Sequence, residues 1–258
     1  MKATVKPILT RILPPTIILA LLPAVRSDAA SILWDTPTLI SADADVSTAG
    51  SLLYAYTFGN SSVPSAAVNG VTFASFAASS GLSTVTVGSV TLALTVTGGG
   101  VTLESSNTAL GSATAPFSNL TAAYKGLLQS GASNSSNATN LTLTLGGLTN
   151  GNSYQVQFWA NESATYAHNV STDAKTVLTA GNAATLDLDS TNVVGGAGQW
   201  VTGTFTANAS TEVLTVDATP AGRPILNGFQ VRTVPEPATA GLLGLGAVLL
   251  AGRRRRNA

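Results

Sequence analysis

Apolar and polar residues alternate with a period of two through most of this chain, and no convincing amphipathic helix interrupts the pattern. Leu141, Leu143 and Leu145 alternate with Thr142 and Thr144, and Tyr154, Val156 and Phe158 alternate with Gln155, Gln157 and Trp159. Asn150-Gly151 lies between the two runs, and this spacing predicts a β-hairpin. Further strands are predicted over residues 32–40, 52–58, 71–77, 84–97, 176–180, 185–188, 200–207, 212–218 and 224–234. Asn69-Gly70 and Asn227-Gly228 are additional turn or bulge signals, and residues 130–140 read as a polar, low-complexity loop. Leu120, Tyr124, Leu127 and Leu128 fall at helical spacing and predict one short helix within residues 118–128. About ten strands at short intervals imply an all-β fold, a jelly-roll-like β-sandwich.

Both ends break the pattern. At the start, Lys2, Lys6 and Arg11 precede a mostly apolar run over residues 12–25, which Pro14, Pro15 and Pro23 interrupt. Ser27-Asp28-Ala29 then places small residues at the −3 and −1 positions of a cleavage site after Ala29. This is the pattern of a secretory signal peptide over residues 1–29, and it predicts handling by the Sec translocon and signal peptidase. At the other end, Pro235-Glu236-Pro237 is followed by 15 apolar or small residues (238–252) and by Arg253, Arg254, Arg255 and Arg256. A bilayer core about 30 Å thick takes roughly 20 apolar residues to span as a helix. The run is therefore a short transmembrane span, held at its cytoplasmic end by arginines that snorkel to the headgroups. The two prolines keep the segment before it extended, where a protease can take it as a strand. The predicted organisation is a leader at 1–29, a β-sandwich ectodomain at 30–233 and a sorting tail at 234–258.

Composition changes the picture once those ends are set aside. The whole chain is formally neutral, but residues 30–233 hold four basic and ten acidic residues, a net charge of −6. An acidic, lysine-poor body argues against nucleic-acid binding. Cysteine is absent, so the domain is held by its core alone, and thiol catalysis and cysteine metal sites are excluded. Eight Asn-x-Ser/Thr sequons read as chance products of an Asn/Ser/Thr-rich sequence.

Candidate chemistry is sparse. His168 is the only histidine; with Asn161, Glu162 and Tyr166 it occupies the loop after the Trp159 strand, where amide, carboxylate and aromatic groups suit a sugar. Trp159 is out of phase with Tyr154, Val156 and Phe158. It is therefore expected to point away from the core and to be the best stacking platform among Trp34, Trp159 and Trp200. Asp43-Ala44-Asp45 and Asp187-Leu188-Asp189 are Asp-x-Asp pairs. On strands each would present two carboxylates on one face, weak candidates for a structural calcium. A Ser-His-Asp triad lacks a Gly-x-Ser-x-Gly elbow. Paired acids would suit a glycosidase, but the chain is only 6% aromatic, too few for the usual sugar cleft.

The tail resembles the PEP-CTERM sorting domain. The resemblance rests on Pro235-Glu236-Pro237, the Gly/Ala/Leu run and the arginine cluster, in that order at the end of the chain. It implies transient anchoring in the inner membrane, recognition of Pro235, Glu236 and Pro237 by an exosortase-type membrane protease, and transfer to the cell surface or extracellular matrix. Residues 141–158, with 200–207 and 225–232, resemble galactose-binding-like, carbohydrate-binding β-sandwiches, some of which carry a structural calcium. Together these imply an exported, non-catalytic surface or matrix protein that binds or embeds in exopolysaccharide, with no cofactor beyond that calcium. A structural adhesin or coat protein is the alternative, and a secreted hydrolase the third reading.

Overall fold

The computed structural model describes residues 30–59, 63–77, 82–94, 101–103, 110–134, 140–164, 175–219 and 223–234. In chain order the strands are β1 (Leu33–Trp34), β2 (Thr38–Leu39), β3 (Ser51–Gly59), β4 (Ala66–Val68), β5 (Val71–Ala77), β6 (Thr84–Val87), β7 (Val90–Leu94) and β8 (Val101–Leu103). They continue with β9 (Ala132–Asn134), β10 (Leu141–Gly146), β11 (Ser153–Ala160), β12 (Lys175–Ala180), β13 (Asn182–Asp187), β14 (Gln199–Thr206), β15 (Thr211–Thr219) and β16 (Gly228–Thr233). A single α-helix among the described residues, α1 (Ala122–Leu128), lies where the apolar spacing predicted one. Its N-cap is Thr121, whose hydroxyl accepts from the Tyr124 N–H at 3.1 Å and so satisfies an otherwise orphan donor.

The strands form two facing sheets. The larger runs β1-β14-β11-β16-β3-β5-β4, with β2 also on β14; the smaller runs β13-β12-β15-β10-β7-β6. Inward residues of both sheets share one core: Val156, Phe158, Phe229 and Val231 from the larger meet Leu141, Leu143, Leu214 and Val216 from the smaller. This is a two-layer β-sandwich, and alternation of apolar and polar residues follows directly from each strand having one face in that core. From β10 onward the chain crosses between sheets at almost every connection. A third, two-stranded sheet pairs β8 with β9; β9 lies within the segment expected to be a polar loop, where Ser133 and Asn134 are buried.

Several predicted elements are placed differently. The runs around Asn150-Gly151 are both strands, but not a hairpin: β10 pairs with β7 and β15, whereas β11 pairs with β14 and β16. The two runs lie in opposite sheets, and both turn their apolar faces into the shared core. The connection bends at Gly147 and Gly151, both at positive φ. Asn69-Gly70 does make the tight hairpin turn its sequence predicts: both residues have positive φ, and Val68 pairs with Val71. The predicted strand over 84–97 is a hairpin, β6-β7, turning at Gly88 (φ +59°). Asn227-Gly228 is not a turn; Asn227 is buried, and its amide nitrogen donates to the carbonyls of Leu128 and Ser130. No helix among the described residues is long and apolar enough to cross a membrane. The predicted transmembrane run lies outside the described residues.

Candidate functional site

The end of β11, expected to present a sugar platform, carries Trp159. Trp159 is indeed out of phase with the main core and points to the opposite face of the larger sheet. That face is not open. Trp159 is 0% exposed within a second core that includes Phe73, Tyr124 and Leu127. Phe73 meets it edge-on at 5.4 Å between ring centroids. The indole Nε1–H donates to Tyr124 Oη at 3.0 Å, and that hydroxyl donates to Asp45 Oδ2 at 3.1 Å. The expectation of an exposed stacking surface is thus corrected: the phase was read rightly, but α1 and the segment before β3 cover the face.

Asn161 and Glu162 are buried as well. The Asn161 side chain is spent on the backbone, donating to Leu110 O at 3.2 Å and accepting from Gly198 N and Ser163 Oγ at 3.0 Å each. Glu162 N–H donates to Leu188 O at 2.8 Å. Tyr166 and His168 lie outside the described residues, as do Pro235, Glu236, Pro237 and Arg253, Arg254, Arg255 and Arg256. Trp34 and Trp200 are half-buried. Trp34 donates through Nε1 to Asn182 O at 3.1 Å and meets Phe158 edge-on.

The Asp-x-Asp pairs are not strand pairs. Asp43 and Asp45 sit in a 3-10 turn. Asp45 accepts from Ser41 N (2.7 Å), Ala42 N (3.0 Å), Ser41 Oγ (3.0 Å) and Tyr124 Oη, while Asp43 Oδ1 accepts from Thr121 Oγ1 at 2.6 Å. These carboxylates cap the turn and pin α1 to it. Asp187 ends β13 in an ion pair with Lys175 at 2.7 Å. Asp189 caps its own turn through Thr191 N and Oγ1, leaving only its buried Oδ2 without a hydrogen-bond partner. Calcium takes six to eight oxygen ligands. Among the described residues no three acidic, histidine or cysteine side chains gather as ligands would. The four aspartates serve instead as turn caps, a contact to α1 and one arm of an ion pair.

A polar network missed by the sequence reading completes the cover. Gln157 and Gln230, both buried, and Arg232 project from the outer face of the larger sheet and clamp residues 45–50. Gln157 Nε2 donates to Asp45 O (2.6 Å), Gln230 Nε2 to Ser47 O (2.9 Å), and Arg232 to Ala49 O (2.6 Å), Thr48 O and Gly50 O (both 3.1 Å). Carbonyl oxygens hold this guanidinium, and burial lowers its pKa. Strict alternation of Gln155, Gln157, Gln230 and Arg232 with apolar residues was the available signal, but it reads equally as a solvated face. The open surface instead includes a shallow groove at the corner of the larger sheet. It is lined by Leu33, Ser153, Thr204, Thr206 and Val234 above the buried rings of Tyr154 and Phe205.

Two tyrosines, Tyr124 buried beneath the cover and Tyr54 half-buried against the main core, give the fold a pH signature. Burial first, and then the charge of Asp45, raises the Tyr124 pKa far above its ordinary value; burial does the same for Tyr54, helped by Tyr56 and Tyr154. The folded chain therefore keeps these protons where the unfolded chain loses them, above about pH 10. Their contribution is full below that pH and is lost as pH rises through it. The urea midpoint is expected to be flat to about pH 9 and to fall above pH 10, less steeply in Tyr124→Phe. A midpoint that stays flat through pH 11 would mean that both hydroxyls ionise freely in the folded state.

Comparison with known proteins adds one firm finding. Residues 233–256 match the PEP-CTERM protein-sorting motif. That motif implies an exported protein whose C-terminal anchor is cleaved on an exosortase-type route to the surface. No curated protein matches the chain. One solved structure, from work on the promiscuous specificity of carbohydrate-binding modules of the β-sandwich superfamily, shows a weak similarity. It is 12% identical, covers 77% of this chain and 98% of its own, and has a TM-score of 0.16. The sorting motif begins where the body ends: Thr233 still pairs with Ser51 and Tyr154, and Val234 N–H donates to Ser153 O at 2.9 Å.

Proposed function

We propose that this chain is a non-catalytic, surface-displayed protein, exported through the Sec translocon, cut by signal peptidase after Ala29 and released by an exosortase-type protease near Pro235-Glu236-Pro237. Its jelly-roll-like sandwich then serves in an extracellular matrix, bound to or embedded in exopolysaccharide. The observation that carries this reading is the sorting motif joined to the last strand of a cysteine-free β body, so that cleavage there frees a complete domain. Sugar contact, on this reading, falls on open surface such as the Leu33 groove and not on Trp159. Burial of Trp159, Asn161 and Glu162 favours a second reading, a structural coat protein without a specific ligand.

The test is the intact mass of the protein recovered from the surface of its native host, followed by co-sedimentation with that host's exopolysaccharide. A chain lacking both the leader and Arg253–Arg256, and sedimenting with the polysaccharide, is the expected result. A processed chain that stays in solution supports the coat-protein reading. A chain that keeps its arginines and stays in the inner membrane overturns both.

A further inference from the structure

Glu212 is the most anomalous charged group among the described residues. It lies on β15 in phase with Leu214 and Val216, so its side chain faces the core, and it is 1% exposed. It sits opposite Leu145 of β10. Among the described residues no lysine or arginine pairs with it. Its Oε1 is buried without a hydrogen-bond partner, and its Oε2 accepts at 2.8 Å from the main-chain nitrogen of Ala30. Ala30 itself belongs to the core cluster, and two residues on, the fully buried Ile32 is tied to Ala180 O at 2.9 Å. A carboxylate facing a core in this way is costly unless a cation meets it. Backbone N–H groups are a poor substitute.

The nitrogen that Glu212 holds is the one that the predicted leader cleavage would free. We infer that the Glu212 carboxylate is a built receptor for the chain's own new N-terminus. Hydrolysis of the Ala29–Ala30 bond by signal peptidase turns the Ala30 amide into an ammonium that forms a buried ion pair with it. Water is the co-reactant. Its hydroxyl group goes to the Ala29 carbonyl and its hydrogen to the Ala30 nitrogen, and at neutral pH the new carboxyl releases a proton while the new amine takes one up. The ammonium brings three donors where the amide had one, enough to engage Oε1 as well as Oε2. Burial raises the pKa of Glu212, against the pull of the Ala30 and Val213 N–H groups, as expected of a carboxylate that still lacks its counter-ion. The device orders events. With the leader attached, the body lacks this pair and is less stable, which suits a chain that must thread a translocon before it folds. Once cut, it locks.

This inference rests on the export reading, and the test separates the two. The N-terminus of protein recovered from the host is read by mass, and the melting temperatures of wild type and Glu212→Gln are compared in two chains. One begins at Ala30; the other is exported through a leader cut one residue earlier, so that Ala29 remains as an amide-linked cap. The expected N-terminus is Ala30. Glu212→Gln should lower the melting temperature by about 5 °C in the Ala30 chain and by less than half of that in the longer chain. Equal losses in the two chains would make Glu212 merely structural and overturn the inference, as would an exported chain that starts elsewhere. A chain that still starts at Met1 sinks the export reading itself. Should Glu212→Gln fail to accumulate, acylation of the α-amine serves in its place. The amine should react much more slowly in the Ala30 chain than in the longer one, and equal rates would overturn the pairing.

Discussion

Trp159→Ala is expected to destabilise the sandwich by about 3–5 kcal/mol, the range for removing a large aromatic from a core that cannot collapse around the gap. Trp159 has no exposed surface, meets Phe73 edge-on and donates its only N–H to Tyr124. The substitution therefore opens a cavity beneath α1 and leaves the Tyr124 hydroxyl with one partner fewer. Loss of a hydrogen bond within a buried Trp–Tyr–Asp chain adds about 1 kcal/mol to the packing loss. Urea unfolding of the purified body, followed by circular dichroism, measures it. The sign of interest is functional as well. With the ring inside, any loss of polysaccharide retention in this variant should track its unfolded fraction and vanish where the variant is fully folded. A destabilisation below about 1 kcal/mol, with retention abolished in folded protein, would return Trp159 to the surface and restore the stacking-platform reading.

Phe229→Ala is expected to have an effect of the same size in the other core, again about 3–5 kcal/mol. The ring lies at the centre of an aromatic cluster. It stacks on Phe58 at 5.4 Å and on Phe158 at 5.7 Å, and it meets Tyr54 edge-on at 6.1 Å. Three strands, β3, β11 and β16, supply these rings, so the cavity falls where the central strands of the larger sheet meet the smaller one. Phe229→Leu keeps most of the volume and should lose about half as much or less. If both variants unfold at the wild-type urea midpoint, the aromatic cluster is not what joins the sheets.

Those two side chains also mark how far local pattern carries. Period-two alternation located β3, β5, β10, β11, β14 and β15 closely, because each strand has one face in the core and the pattern is a direct imprint of that burial, and helical spacing located α1. The same alternation could not say which strand lies beside which. Leu143 and Val156 both face the core whether β10 and β11 are neighbours in one sheet or opposites across the sandwich; only the six-residue connection and its two positive-φ glycines favour the second. Phase put Trp159 on the outer face, and Gln157, Gln230 and Arg232 with it. Whether an outer face meets water depends on a distant segment, residues 39–50, and on α1, and neither carries a local mark of its destination. Asp43 and Asp45 looked like ligands for the same reason: an acid pair reads alike whether its partners are cations or the N–H and O–H groups of a turn.

The sequence by itself determined the all-β character, the acidic cysteine-free body and the C-terminal sorting motif. The first is a periodicity, the second a count, and the third a linear motif legible without any fold. Tertiary structure alone decided the sheet pairing, the burial of Trp159, Asn161 and Glu162, the capping roles of the aspartates and the meeting of Ala30 with Glu212. Each of these is set by residues far apart in the chain, 182 positions apart for Ala30 and Glu212. Such neighbours are chosen by how the whole core closes, and no short stretch of sequence encodes that closure.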